Sequence, residues 1–191
     1  MLRSRLLFGT LAIVAAGAIS IAAVRPAALF GQDMMPKPTE EHTLLQKSVG
    51  TYEGTVTMHV PGLPQDPVPA TDTISALGKF WTTSRFESNF GGMPYSGVGQ
   101  MGYDPAKKQY IGTWAESLSP HLSIMEGVHD KESGKLIMRY EAPDMTGKLT
   151  QHRHEIAYND KGYTIEFYMG EGDSAMHSMT IEMTRTSGGD E

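Results

Sequence analysis

TYEGTVTMHV, residues 51–60, alternates strictly in character. Tyr52, Val56, Met58 and Val60 fall on one side of an extended chain, and Glu53, Thr55, Thr57 and His59 fall on the other. Period two is the signature of a strand with one face buried and one face wet. Beyond the proline-rich loop 61–69 the same texture recurs to the end of the chain. It predicts strands over residues 71–80, 81–90, 95–103, 108–117, 121–129, 135–141, 151–158, 163–169 and 176–185. Turn signals separate most of them: GGMP at 91–94, DPAK at 104–107, DKESG at 130–134, PDMTG at 143–147 and NDKG at 159–162. Short strands punctuated this regularly indicate an all-β sandwich or barrel. Nothing between them reads as a helical crossover, so the connections are antiparallel hairpins. A meander of about ten strands closes most simply as an up-and-down antiparallel β-barrel, which leaves no exposed edge. A barrel of that size can enclose a small ligand.

Upstream of this region the character changes. Thr39 reads as a helix N-cap with Glu40 and Glu41 in the first turn, where the helix dipole favours acids. Leu44 and Leu45 give that short helix an apolar side, and Gly50 is the expected stop. QDMMPKP, residues 32–38, reads as a linker. Residues 1–31 carry Arg3 and Arg5 ahead of LAIVAAGAISIAAV at 11–24, then Arg25 and Pro26. A basic start followed by an apolar run is the pattern of an export signal. With Leu6–Phe8 counted in, the run approaches the length of a membrane anchor, so residues 1–24 also read as a membrane tether. The expected organisation is therefore a signal peptide or anchor at 1–31, a linker at 32–38, a barrel at 39–185 and a disordered tail at 186–191. The expected location is the periplasm or the exterior.

Composition narrows the function classes. The chain has no cysteine, so no disulfide, thiolate metal site or lipid-bearing Cys supports or anchors it. Residues 1–31 hold three of the cations and no acid, so the net charge of −6 for the whole chain becomes −9 for the remainder. That acidity opposes a nucleic-acid partner. The sequence has no nucleophile elbow, phosphate loop, dinucleotide fingerprint or zinc-protease helix.

Several stretches together resemble a known family. They are LLQKSVGTYEGTVT at 44–57, GGMPYSGVGQMGYD at 91–104, KKQYIGTWAES at 107–117 and MTIEMTR at 179–185. The combination of Gly-Tyr-Asp, Tyr-x-x-x-Trp and a closing strand ending in Thr-Arg is similar to the family catalogued as domain of unknown function 1579. The resemblance implies a calycin-like barrel akin to lipocalins and fatty-acid-binding proteins. Gly50, Thr51 and Tyr52 stand at the Gly-x-Trp entry motif, with Tyr52 in place of the Trp. The family supplies a fold and no settled activity.

The leading expectation is a barrel that binds an apolar or amphipathic small molecule and needs no cofactor. Tyr52, Trp81, Phe86 and Trp114 are the candidate aromatic lining, and Arg85, Glu116 and Glu126 the candidate polar anchors. Glu116 shares a face with Trp114 and Tyr110, and Glu126 one with Leu122, Ile124 and Val128. A hairpin centred on Ser119 and Pro120 would set Trp114 opposite Glu126, with Arg85 or Arg139 balancing the interior charge. The alternative is an enzyme, metal-dependent or carboxylate-dependent. His152 and His154 share a strand face and could bind zinc or copper with His177 or Glu166 as third ligand. A further alternative is a haem or copper binder using His177, which shares a strand face with Met179, Ile181 and Met183. For the histidines, a solvated or satisfied structural role competes with each of these.

Overall fold

The computed structural model describes residues Met35 to Gly188. The predicted export signal or tether and the first three residues of the linker lie outside the described residues.

Helix α1 spans Glu40–Gln46. The Thr39 backbone N–H donates to His42 Nδ1 at 3.0 Å, which satisfies one of the donors that a helix start leaves open. The helix ends at Lys47, not at Gly50, which opens the first strand. Ten strands follow: β1 (Gly50–Met58), β2 (Val68–Leu77), β3 (Trp81–Phe90), β4 (Met93–Asp104), β5 (Gln109–Glu116), β6 (Ser119–His129), β7 (Leu136–Pro143), β8 (Leu149–Asn159), β9 (Gly162–Met169) and β10 (Met176–Ser187). Each pairs antiparallel with its neighbours in sequence, and β10 returns to β1, so the sheet is a closed barrel. The expected all-β, up-and-down architecture with one short helix is the observed one. The last strand runs further than its sequence signal, taking in Thr186 and Ser187 of the stretch expected to be a tail.

Acidic and amide side chains make the turns as the sequence indicates. Asp104 accepts from the Ala106 and Lys107 N–H groups, Asp144 from Thr146 and Lys148, and Asn159 from Lys161.

Apolar residues on the inner face of the strands form the packed part of the interior. One cluster contains Tyr52, Val56, Phe86 and Met183; the other contains Leu45, Tyr110, Leu136 and Met138. Leu45 and His42 of α1 are buried, at 1% and 2% exposure, so the helix stoppers one end of the barrel. His42 meets the rings of Phe80 and Tyr103 edge-on. From β10, Arg185 donates to the Lys47 carbonyl at 2.6 Å and to the Tyr52 hydroxyl at 2.8 Å. The Tyr52 hydroxyl donates onward to the Ser48 carbonyl at 2.6 Å. This arginine joins the closing strand, the helix exit and the first strand. Strand direction places the far mouth of the barrel at the loops around Leu63, Leu118 and Met145.

Candidate functional site, the barrel cavity

Between the stoppered end and that mouth lies a cavity of about 550 Å³. Its size falls within the range of about 300–1,000 Å³ found for pockets that take drug-sized molecules. The wall is mostly apolar, with Val56, Phe86, Phe90, Ile165, Phe167 and Ile181 among its residues. Three polar groups of residues interrupt it.

The first stands on β4 and β5. Trp114 Nε1 donates to the Tyr95 hydroxyl at 3.2 Å, and that hydroxyl donates to Glu116 Oε2 at 2.7 Å. The indole can lie flat against the wall because the two residues beneath it are glycines. A Cβ on Gly97 would sit 2.1 Å from the Trp114 ring, and one on Gly99 2.6 Å. Burial, with Glu116 next in importance, raises the Tyr95 phenol well above the usual tyrosine range, so it stays a donor.

The second stands on β7 and β8. The Tyr140 hydroxyl and His154 Nε2 lie 2.5 Å apart. His152 stacks on the Tyr140 ring at 5.2 Å. Burial, with a smaller contribution from His152, pushes His154 down to about 3, so its imidazole is neutral at physiological pH. His152 is lowered too, chiefly by burial. Its Nε2 is buried without a hydrogen-bond partner, an open polar atom on the cavity wall.

Deeper down, Asp72 on β2 accepts from the Tyr163 hydroxyl at 2.6 Å and the Ser84 hydroxyl at 2.7 Å. Burial raises its pKa above the usual carboxyl value, and these two bonds work in the opposite direction. Sequence reading overlooked this group. The one available signal was an acid in β2 on the same face as Ala70 and Ile74, a costly placement unless partnered.

The residues nominated from sequence divide between the two sides of the wall. Phe86, Trp114 and Glu116 line the cavity, as do His152 and His154. Tyr52 is wholly buried behind Tyr163, with ring centroids 5.0 Å apart, at the stoppered end. Trp81 points outward, its indole lying across Gly102 of the next strand. Arg85 alternates with the inward Phe86 and is therefore on the outer surface, bonded to Glu87 at 3.1 Å.

Glu126 is also outside, 3.4 Å from Lys107. The expected pairing of Trp114 with Glu126 does not form. The β5–β6 turn is tighter than expected, with Glu116 opposite Ser119, so Trp114 faces Ser123 and Ile111 faces Glu126. This is an odd-numbered shift, and an odd shift moves a side chain through the sheet.

His177 is separated from the other two histidines. The register slips between His177 and Met179, which turns His177 outward although Met179, Ile181 and Met183 keep the phase expected of the strand. It stacks on Tyr168 at 5.1 Å and lies 4.3 Å from His59, with Thr180 Oγ1 bonded to both rings. Glu166 is outside as well, 2.7 Å from Lys135. The third ligands expected to join His152 and His154 are thus on the far side of the sheet. Among the described residues, no group of three or more His, Asp or Glu side chains converges to hold a metal.

Comparison with known proteins agrees with this architecture. The profile of the family described as Protein of unknown function (DUF1579) matches residues 37–185, nearly all of the barrel. The chain belongs to this family. The DUF1579 match covers α1 and takes in β10 as far as Arg185, so the arginine tie at the stoppered end lies within it. No curated protein matches the chain. Among solved structures the barrel is similar to the crystal structure of Rv2717c from M. tuberculosis. The TM-score is 0.60 at 12% identity, over 79% of this chain and 100% of that one. At that identity the likeness concerns the fold alone.

Proposed function

We propose that this DUF1579 protein is an exported carrier or receptor barrel that holds an apolar or amphipathic small molecule in its interior. The observation that carries the reading is the cavity itself. About 550 Å³ of mostly apolar wall is interrupted by the Trp114–Tyr95–Glu116 chain and the Tyr140–His154–His152 group. Apolar walls supply affinity by removing ligand surface from water, and a few convergent polar groups supply orientation. A barrel with a purely structural role would fill this volume with side chains, because empty space forfeits dispersion contacts. Export, with residues 1–24 as signal or membrane tether, belongs to the same proposal and rests on the basic-then-apolar pattern of the sequence.

Native mass spectrometry of protein purified without detergent tests the binding reading. The expected spectrum contains a species heavier than the chain that loses a discrete apolar compound on collisional activation. A spectrum of bare chain, from protein that also fails to take up added amphiphiles, argues against it.

A further inference from the structure

We propose that the cavity selects an amphiphile whose head group donates hydrogen bonds and carries no negative charge, above all an amine, and that it rejects fatty-acid carboxylates. This inference rests on the ligand-binding reading and narrows it to a chemical class.

The basis is the polar inventory of the wall. Among the described residues that line the cavity there is no lysine and no arginine, whereas the carboxyl groups of Glu116 and Asp72 both face it. Both arginines expected from sequence to balance an interior acid lie outside the sheet. Arg85 is bonded to Glu87, and Arg139 is exposed, opposite Glu126 in the register. Glu116 receives the Tyr95 hydroxyl on Oε2, and Oε1 takes no hydrogen bond from the described residues. His152 adds a second polar atom that a head group can engage. Its buried Nε2 has no partner. Of the three histidines on the wall, burial lowers His152 and His154, while His121 is bonded to the Glu141 carbonyl at 3.0 Å.

A carboxylate entering this space would give up its hydration without meeting a lysine or an arginine. It would also approach a second carboxylate, which disfavours two charges of one sign in a poorly solvated site. An ammonium group reverses both terms. It donates a charge-assisted bond to Glu116 Oε1 and has donors left for His152 Nε2 or the Tyr95 oxygen. A hydroxyl head group falls between the two, since it donates a hydrogen bond without a charge.

The test is displacement of the neutral dye N-phenyl-1-naphthylamine from the full-length protein at pH 7 by dodecylamine, dodecanol and dodecanoate. The three share a chain and differ in head group. The expected order is amine, then alcohol, then carboxylate. The amine should bind at least about ten-fold tighter than the carboxylate, equivalent to about 1.4 kcal/mol. Glu116→Gln keeps an acceptor for Tyr95 and removes the charge, so it should shrink the amine-to-carboxylate ratio toward one. Circular dichroism confirms that the variant is folded. If it is not, the ranking in the unaltered protein decides the matter alone. Carboxylate binding as tight as amine binding, or a ratio unchanged in a folded Glu116→Gln, overturns this inference and leaves the binding barrel standing. Failure of the dye and of all three amphiphiles to bind overturns the binding reading, and the inference with it.

Discussion

Replacing His154 with glutamine should flatten the acid limb of the stability curve. In the folded chain His154 faces the cavity from β8, beside the Tyr140 hydroxyl, and burial holds its pKa near 3. In the unfolded chain the imidazole titrates near its ordinary 6.5. As pH falls below 6.5 the unfolded state takes up a proton that the folded state refuses. Stability therefore drops with falling pH throughout the interval from 6.5 to about 3, and is fully retained above it. The slope for one such group is at most about 1.4 kcal/mol per pH unit, so about 2–3 kcal/mol is lost between pH 6.5 and 4.5. Glutamine offers Tyr140 an acceptor and does not titrate, which isolates the protonation. Urea unfolding at pH 7.5, 6.5, 5.5 and 4.5 measures the difference between the parent and His154→Gln. All other titrations cancel in that difference to first order. The parent should lose about 2–3 kcal/mol relative to the variant across the range. Parallel curves would show that His154 is solvated well enough to accept its proton in the barrel, and the argument for a poorly solvated wall around it would fail.

Two further substitutions probe how the cavity is built. Asp72→Asn leaves one oxygen for two hydroxyl donors, Tyr163 and Ser84, and should cost about 1–3 kcal/mol in urea unfolding at neutral pH. It should also remove a trend of the opposite sign to that of His154. Because burial raises the folded pKa of Asp72, the parent loses stability as pH rises from 3.8 through that raised value. Gly97→Ala places a methyl against the Trp114 ring, where 2.1 Å is available. The expected result is a shifted Trp114 fluorescence maximum and a loss of about 1–3 kcal/mol; an unaltered spectrum would contradict the described seat of the indole.

Much of the fold was legible because alternation along a strand and Asp, Asn or Gly at its ends report local geometry. All ten strands fall on segments that carry this pattern, with no end displaced by more than three residues. Parity within a strand was also reliable: Tyr52 and Val56 share the inner face, and Glu116 shares its face with Trp114 and Tyr110. Harder to read was which face is inside. On β6 the apolar set Leu122, Ile124 and Val128 is exposed, while His121, Ser123 and Met125 face inward. The usual rule of apolar in and polar out weakens when the interior is a cavity with its own polar groups. Cross-strand partners were not legible where turn length was misread by a residue or two, and Glu126 changed sides for that reason. His177 illustrates a third limit. The irregularity between His177 and Met179 is a property of pairing with β9, and nothing in MHSMTIEM announces it. Arg85 and Trp81 were nominated for residue type, whereas their odd position in β3 beside the inward Phe86 places them outside.

The account depends on the inside of the barrel being a space that a guest occupies. Titration of the protein with N-phenyl-1-naphthylamine, alongside Ser123→Phe and Glu126→Ala, tests this most directly. Ser123 is buried and faces the cavity opposite Trp114, so a phenyl ring there occupies guest volume, while Glu126 lies on the outer surface. Saturable one-to-one binding by the parent and by Glu126→Ala, lost by at least about ten-fold in a folded Ser123→Phe, is the predicted result. Dye binding that survives Ser123→Phe, or that falls equally in both variants, would place the guest somewhere other than the cavity.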